Sequence, residues 1–333
     1  MTGLTEHDLT VDARLLYHEA TARGVHVTIL GNHTFLMRKQ GVQWYVHGSR
    51  TSLQSSIGYT VSKKKHVTKA ILAQEHVPTA NWVTIKTADD LDQLTRLTFP
   101  LVVKPSNGKG GRHVVVGVST PEEVARLYER FEPKIDKEEG IFLLAEEMLC
   151  GHEYRILCVD YTFVGATYRK PAHVVGDGYS SIQALVEAKN AHPWRGAGHA
   201  QPLTRLSIDD TVQAVLHAQG YTVTTVPAEG VEVYLRRTAN LSMGGEPWNV
   251  THQMCAENIA LCEHIARVCD LNTIGIDLMC SSLSLPIQQQ PRAGVIEINS
   301  APALRMHHFP VHGDSINAAG KILDMVLTHL GLA

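Results

Sequence analysis

The sequence contains no C-x-x-C motif and no long run of apolar residues. Its six cysteines therefore do not form the pairs typical of zinc or dithiol sites, and they favour free thiols in a reducing compartment. No apolar stretch approaches the roughly 18 residues that a membrane-spanning helix needs. The first residues, M-T-G-L-T-E-H-D, lack the basic and apolar regions of a signal peptide. These absences predict a cytoplasmic protein without a membrane partner.

Charge and composition exclude further classes. The net charge of −3 gives no electrostatic reason to expect a nucleic-acid partner. The nineteen histidines are scattered, so no zinc site is predicted. With 333 residues, of which 44% are hydrophobic and 19% charged, the chain fits an ordinary globular enzyme of two or three domains. The sequence allows a homodimer but does not require one.

Hydrophobic periodicity predicts an α/β protein. The patterns predict a helix over 12–23 and a strand over 25–30, which together open a small α/β unit. A second helix is predicted to start at Ser62 and to run to His76, where Pro78 closes it. Later segments predict alternating strands and helices, with strands at 101–104, 141–147, 153–159, 162–168, 273–280 and 293–299.

Two of these strands carry acids in apolar surroundings. Asp277 lies in T-I-G-I-D-L-M-C, and Glu297 and Asn299 lie in A-G-V-I-E-I-N. Alternate residues of a strand share a face, so Glu297 and Asn299 should lie about 6–7 Å apart on the same side. Buried acids are costly unless they are paired or bound to a cation, and carboxylate and amide oxygens suit Mg²⁺. The alternative is a pair of acids at strand ends, bonded to nearby bases.

A glycine-rich turn joins two predicted strands at V-K-P-S-N-G-K-G-G-R, residues 103–112. Glycines allow backbone N–H groups to approach phosphate oxygens, and the flanking bases neutralise charge. No Lys-Ser/Thr pair and no helix follow, so this is neither a Walker A loop nor a Rossmann fingerprint. It is either a nucleotide lid or a simple hairpin. Its candidate phosphate contacts are Lys104, Ser106, Gly108, Gly110 and Gly111.

The next strand ends in E-E-M-L-C-G-H-E, residues 146–153. A backbone hinge at Glu146, Glu147, Met148 and Leu149 would present N–H and C=O groups to an adenine edge, and Glu153 could accept both ribose hydroxyls. The alternative is an acid pair at a domain joint. Four arginines lie in or beside strands of the second half: Arg155, Arg169, Arg236 and Arg237. Together they favour the binding of an anionic substrate and a transferring phosphate. The alternative for each of them is a structural ion pair with a nearby acid.

The order of these motifs resembles the ATP-grasp carboxylate–amine ligases. The segments that carry the resemblance are T-K-A-I-L, A-E-E-M-L-C-G-H-E-Y-R, R-K-P-A-H-V-V-G-D-G, Y-L-R-R-T-A-N-L-S-M-G-G, G-I-D-L-M and I-E-I-N-S-A-P. The chain looks most like the C-terminal half of bifunctional glutathione synthetases and the ATP-grasp part of cyanophycin synthetases. The resemblance implies an ATP-grasp fold with an N-terminal α/β domain over 1–80, a lid subdomain over 81–150 and a catalytic subdomain over 151–333.

The resemblance also implies roles for the candidate residues. Lys65 and Lys104 would hold the ATP phosphates. Glu146, Glu147 and the backbone of Met148 and Leu149 would contact adenine, and Glu153 the ribose. Asp277, Glu297 and Asn299 would bind two Mg²⁺ ions, with Mn²⁺ as an alternative. Arg236, Asn240 and Lys104 would act in phosphoryl transfer. The substrates would contact Arg155, Arg169, Arg305 and His307.

The activity that follows from the resemblance is amide-bond formation with release of ADP. A substrate carboxylate would attack the γ-phosphate, and an amine would then displace phosphate from the acylphosphate. Small-molecule substrates, either amino acids or peptides, are the expected partners, in a glutathione synthetase-like or other dipeptide ligation. Cyanophycin-like ligation and an inactive nucleotide-binding protein are the alternatives. Some relatives have an arginine where this chain has Gly275, so Arg236 or Arg305 is expected to take its place. In 333 residues, one ATP-grasp site and one kind of bond are expected.

Overall fold

The computed structural model describes residues 4–108, 113–136, 140–198 and 200–333. Its contacts divide the chain into two compact units. The first unit comprises Met1–Ser52, Gly165–Thr251 and Ala303–Ala333, and the second comprises Leu53–Val164 and His252–Pro302. The α/β class is confirmed, whereas the division into 1–80, 81–150 and 151–333 stays a prediction.

The helices follow the predicted amphipathic segments in most places. Within the described ranges they are α1 (Val11–Ala22), α2 (Ser56–Lys63), α3 (Lys65–Gln74), α4 (Pro121–Phe131), α5 (Ile182–Asn190), α6 (Asp210–Ala218), α7 (Ala256–Val268), α8 (Arg305–His308) and α9 (Ala318–His329). In that part of the chain, none of the helices combines the length and apolarity that crossing a bilayer requires.

The strands alternate with these helices. In the described residues they are β1 (His26–Gly31), β2 (Thr34–Lys39), β3 (Val42–His47), β4 (Arg50–Thr51), β5 (Trp82–Ile85), β6 (Leu101–Pro105), β7 (Val115–Val118), β8 (Leu143–Glu147), β9 (His152–Val159), β10 (Thr162–Lys170), β11 (His173–Val175), β12 (Arg195–Gly196), β13 (Leu203–Thr204), β14 (Glu232–Tyr234), β15 (Glu246–Asn249), β16 (Thr273–Cys280) and β17 (Gly294–Asn299).

The first unit begins with an antiparallel sheet in which β1 to β4 follow one another in chain order. Helix α1 packs against α9. A separate apolar cluster, which includes Val174, Ile182, Leu216 and Val233, joins β11 and β14 to α5 and α6. Burial of these side chains gives these two strands and two helices a core of their own.

The second unit contains the antiparallel sheet β5-β8-β6-β7, whose apolar core includes Val83, Leu101, Val103 and Ala145. In the same unit β16 lies between β9 and β17 and pairs antiparallel with both. Side chains of neighbouring antiparallel strands that face each other project to the same side of the sheet. This register places Asp277 of β16 between Arg155 of β9 and Glu297 of β17 in one row.

One prediction about the helices was wrong, and one helix was missed. The helix expected from Ser62 to His76 is two helices: α2 starts earlier, where the Ser55 side chain accepts a hydrogen bond from Gly58 N, and the chain breaks at Lys64 with ψ near 89°. Helix α6 was missed, although Asp209 is a good N-cap residue and its side chain accepts from Val212 N. The break at Lys64 starts α3 at Lys65, one of the candidate phosphate ligands.

Candidate active site

The predicted metal ligands lie on neighbouring strands of the second unit. Asp277 on β16 faces Glu297 on β17, and Gly275 faces Asn299. Asp277 is only 3% exposed, while Glu297 and Asn299 are half-buried. The expected strands and the shared face of the two β17 residues are therefore confirmed, and their role as metal ligands stays a prediction.

Basic side chains neutralise both acids. Lys65 Nζ lies 2.6 Å from Glu297 Oε2. Arg155, which faces Asp277 from β9, donates to it through Nε and Nη2, and the Nη2–Oδ2 distance is 3.1 Å. A buried carboxylate needs such partners because charge is costly to remove from water. In the row Arg155, Asp277, Glu297 and Lys65, two adjacent carboxylates lie between a base at each end.

Gly275 is the reason that Arg155 can reach Asp277. A Cβ atom at position 275 would lie 3.0 Å from Arg155 Cδ, 3.2 Å from Arg155 Nη1 and 2.8 Å from Pro302 Cβ. Any larger residue would therefore compete with the arginine for this space. The arginine side chain that lies over Gly275 is that of Arg155, whereas Arg236 and Arg305 belong to the first unit.

The donor set on β16 and β17 fits a hard cation. Asn299 Nδ2 is buried and has no hydrogen-bond partner among the described residues. Buried polar atoms are normally satisfied, so this amide is available to turn either end toward a ligand. Two carboxylates and an amide oxygen are ligands that Mg²⁺ accepts together with water and phosphate. In the described part of the chain, no three His, Cys, Asp or Glu side chains form a metal-binding group.

A second buried group surrounds Glu146, at the end of β8. Glu146 Oε2 lies 2.9 Å from Lys104 Nζ and 3.4 Å from Lys69 Nζ, while Oε1 is buried without a hydrogen-bond partner in the described residues. Burial raises the pKa of Glu146, but Lys104 and Lys69 outweigh it and hold the pKa below its usual value. Burial lowers the pKa of Lys69 to about 8. The carboxylate is thus ionised, with one oxygen left for a donor.

Two other hinge residues, Glu147 and Met148, accept hydrogen bonds from neighbouring segments of the second unit. Glu147 accepts from Asn81 Nδ2 at 2.9 Å and from Thr98 N at 2.8 Å. Met148 O accepts from Arg292 Nε at 2.8 Å. These contacts fix the path of the chain from β8 towards Leu149.

The structure also describes three more of the predicted nucleotide contacts, Glu153, Ser106 and Gly108. Glu153 is half-buried on β9, facing Met279. Ser106 Oγ donates to Gly140 O at 2.7 Å and accepts from Phe142 N at 3.1 Å. The predicted contact Gly108 lies in the turn that follows, and Gly110 and Gly111 fall outside the described residues.

In the first unit, Arg236 is 5% exposed and its Nη2 lies 2.6 Å from Asp209 Oδ2 and 3.2 Å from Ser207 Oγ. Asn240 opens a 3-10 turn, and its carbonyl oxygen accepts from Gly245 N at 3.2 Å. Arg236 therefore lies buried with an acid beside it that offsets its charge.

The predicted substrate residues Arg169, Arg305 and His307 also lie buried in the first unit. The amide of Arg305 donates to Asp12 Oδ1 at 2.7 Å, and burial lowers the pKa of the Arg305 guanidinium. His307 Nδ1 lies 3.1 Å from Thr167 Oγ1. Three of the four predicted substrate residues thus share a unit with Arg236, and Arg155 belongs to the other.

Sequence reasoning missed two buried ionic groups. Lys69 lies one helical turn after Lys65, a spacing that places both on one face of α3 and could have indicated it. Glu246, in the first unit, is 4% exposed, bonds Arg195 and lies 2.9 Å from Lys189 Nζ. No motif predicts this cluster.

The chain is similar to several known proteins, although no family model matches it. Cyanophycin synthetase of Trichormus variabilis is 32% identical over 328 residues, which are 96% of this chain and 36% of that protein. The glutathione biosynthesis bifunctional protein GshAB of Clostridium perfringens is 29% identical over 325 residues, 96% of this chain and 41% of that protein. The crystal structure of a bifunctional glutathione synthetase from Pasteurella multocida superposes with a TM-score of 0.75 at 26% identity, over 97% of this chain and 44% of that one. The chain thus spans less than half the length of these relatives.

Proposed function

Because this chain belongs to the ATP-grasp ligases, we propose that it uses ATP to join a carboxylate to an amine. The observation that carries the proposal is the row of Asp277, Glu297 and Asn299 on β16 and β17, with the acids held by Arg155 and Lys65. The carboxylate and amide oxygens of this set are ligands that suit a hard cation, and the bases beside them suit a phosphate chain.

Asp277, Glu297 and Asn299 would hold Mg²⁺, as two ions, with Mn²⁺ as an alternative. The metal would neutralise the phosphate charge as it moves from ATP to the substrate. The buried amide of Asn299, whose nitrogen lacks a partner among the described residues, supports this assignment. Lys65 already lies at Glu297 and would bind the phosphates beside it.

On the nucleotide side, Lys104 would hold a phosphate and Glu146 would accept a hydrogen bond from the adenine amine. The unpartnered Glu146 Oε1 supports this role, since a fully buried ionised oxygen needs a donor. The backbone of Met148 and Leu149 would complete the adenine contact. Further proposed contacts are Glu147, the ribose acceptor Glu153, and the turn residues Ser106, Gly108, Gly110 and Gly111.

The acceptor side would use the buried arginines. Arg236, with Asn240, would stabilise the transferred phosphoryl group and the tetrahedral intermediate that follows. Arg169, Arg305 and His307 of the first unit, and Arg155 of the second, would bind the substrates. The burial of these guanidinium groups supports recognition of carboxylate or phosphate, for which arginine provides paired donors. Arg155 would also act where relatives have an arginine in place of Gly275.

The proposed reaction has two steps. A carboxylate oxygen of an amino acid or short peptide attacks the γ-phosphorus of ATP, and ADP leaves. The amine of an amino acid then attacks the acyl carbon, phosphate leaves, and the nitrogen loses its proton. Both named relatives, glutathione synthetase and cyanophycin synthetase, support amino-acid or peptide substrates, so either type of ligation fits.

A screen for ADP release tests this proposal. Purified protein with Mg-ATP should release ADP with one particular pair of amino-acid or peptide substrates, and the product mass should equal the sum of the pair less one water. Glycine with γ-glutamylcysteine tests glutathione synthesis, and pairs of other amino acids test the remaining ligations, the cyanophycin type among them. Absence of ADP release with every pair, despite nucleotide binding, would favour an inactive nucleotide-binding protein instead.

A further inference from the structure

Lys69 of α3 is fixed by polar contacts on every side. Its Nζ donates to Thr79 Oγ1 at 3.0 Å and to Ala80 O at 3.4 Å, and it lies 3.4 Å from Glu146 Oε2. The side chain is 3% exposed. These three acceptors match the three N–H groups of an ammonium, so Lys69 has no donor left for a ligand.

Lys104 on β6 differs from Lys69 although both bond the same carboxylate oxygen. Among the residues that the structure describes, its one polar partner is Glu146, at 2.9 Å. Lys104 therefore keeps donors for a new acceptor, and it can leave Glu146 without breaking other hydrogen bonds.

We propose that Lys69 is the permanent counter-ion of Glu146, which keeps this carboxylate ionised when Lys104 turns from it to an ATP phosphate. The inference rests on the proposed ATP site, and it makes Lys69 a positioning residue that never touches the nucleotide. Two lysines on one carboxylate thus have separate tasks. One is structural and stationary, and the other is exchanged between the protein and the ligand.

The electrostatics around Glu146 support this division. Among the described residues, Lys69 on α3 and Lys104 on β6 act on the charge of Glu146, and Lys65 on α3 also acts on that of Lys69. Trp82 faces Glu146 from β5. Without Lys69, departure of Lys104 would leave Glu146 buried with no bonded cation. Burial then favours the protonated acid, which cannot accept a second hydrogen bond as well as the carboxylate does.

Isothermal titration calorimetry of a non-hydrolysable Mg-ATP analogue, in buffers of different ionisation enthalpy at pH 7, measures the protons taken up on binding. Lys69→Met should take up about one proton more than wild type and should bind the analogue at least about tenfold more weakly. Lys69→Arg should behave as wild type. In Lys69→Met with Glu146→Gln, the extra proton should disappear.

Each result decides the inference separately from the ATP site. If wild type binds the analogue and Lys69→Met takes up the same number of protons on binding as wild type, the role of Lys69 is overturned and the ATP site is not. Failure of wild type to bind the analogue would instead refute the proposed function. If Lys69→Met does not fold, the pH dependence of the affinity for the analogue tests the inference instead. Wild type should lose affinity above about pH 8, because Lys69 loses its proton there. Lys69→Arg should keep its affinity, because arginine stays charged. Identical profiles would overturn the inference.

Discussion

Replacement of Arg155 by methionine should expose the dependence of Asp277 on a cation. Arg155 donates through two nitrogens to an aspartate that is 3% exposed. Methionine keeps much of the stem that covers Gly275 but removes the charge. Loss of one partner of a buried ion pair costs about 3–5 kcal/mol, so the free energy of unfolding in a metal-free buffer should fall by about that amount.

Mg²⁺ should recover part of this loss. A cation site with a Kd of about 1 mM contributes about 1.4 kcal/mol at about 10 mM Mg²⁺, by the linkage between binding and unfolding. In wild type the cation must compete with Arg155 for Asp277, so the gain should be smaller. Urea denaturation followed by tryptophan fluorescence, with and without Mg²⁺, measures the difference between the two proteins.

Two controls separate a metal site from a general effect of salt. Arg195→Met removes a buried arginine from Glu246 in the first unit, and Mg²⁺ should not restore its stability selectively. Adding Asp277→Asn to Arg155→Met should abolish the response to Mg²⁺. An equal gain from Mg²⁺ in wild type, Arg155→Met and Arg195→Met would refute the placement of a cation at Asp277.

Three further predictions address single positions. Gly275→Ala should displace Arg155 and cost about 1–3 kcal/mol in urea denaturation, because its Cβ would overlap Pro302 and Arg155; an unchanged midpoint would contradict the packing. Burial lowers the pKa of Lys69 from 10.5 to about 8, so between these two pH values the unfolded chain binds more protons than the folded protein. The free energy of unfolding of wild type should therefore rise over this pH range by about 3 kcal/mol relative to that of Lys69→Met. With a thiol reagent at pH 8, native protein should react first at the exposed Cys150. Burial raises the pKa of four other thiols, those of Cys158, Cys262, Cys269 and Cys280. Rapid reaction of any of these four would contradict the prediction.

Much of the fold follows from local pattern. The strands that carry Asp277 and Glu297 are short apolar runs with an acid inside, and period-two alternation predicts which residues share a face. Helix α4 likewise has its capping threonine and first-turn proline in the sequence. Such signals depend on neighbouring residues alone, so one sequence suffices to find them.

The contacts that assemble the site are not local, and they were missed. Glu146 bonds Lys69, and Arg155 lies over Gly275 through strand register that no short segment encodes. The break at Lys64 likewise interrupts a segment whose helical pattern is continuous in the sequence. Long-range pairing and packing decide these features, and propensity is only a weak guide to them.

The most direct measurement of the central claim compares wild type with Glu297→Gln in Mg-dependent ADP release. Glutamine keeps the size of the side chain but removes the charge that a cation would bind. With the substrate pair that wild type accepts, turnover should fall at least about 100-fold while the circular dichroism spectrum stays the same. Turnover equal to that of wild type would contradict a metal-assisted ATP site at Asp277, Glu297 and Asn299.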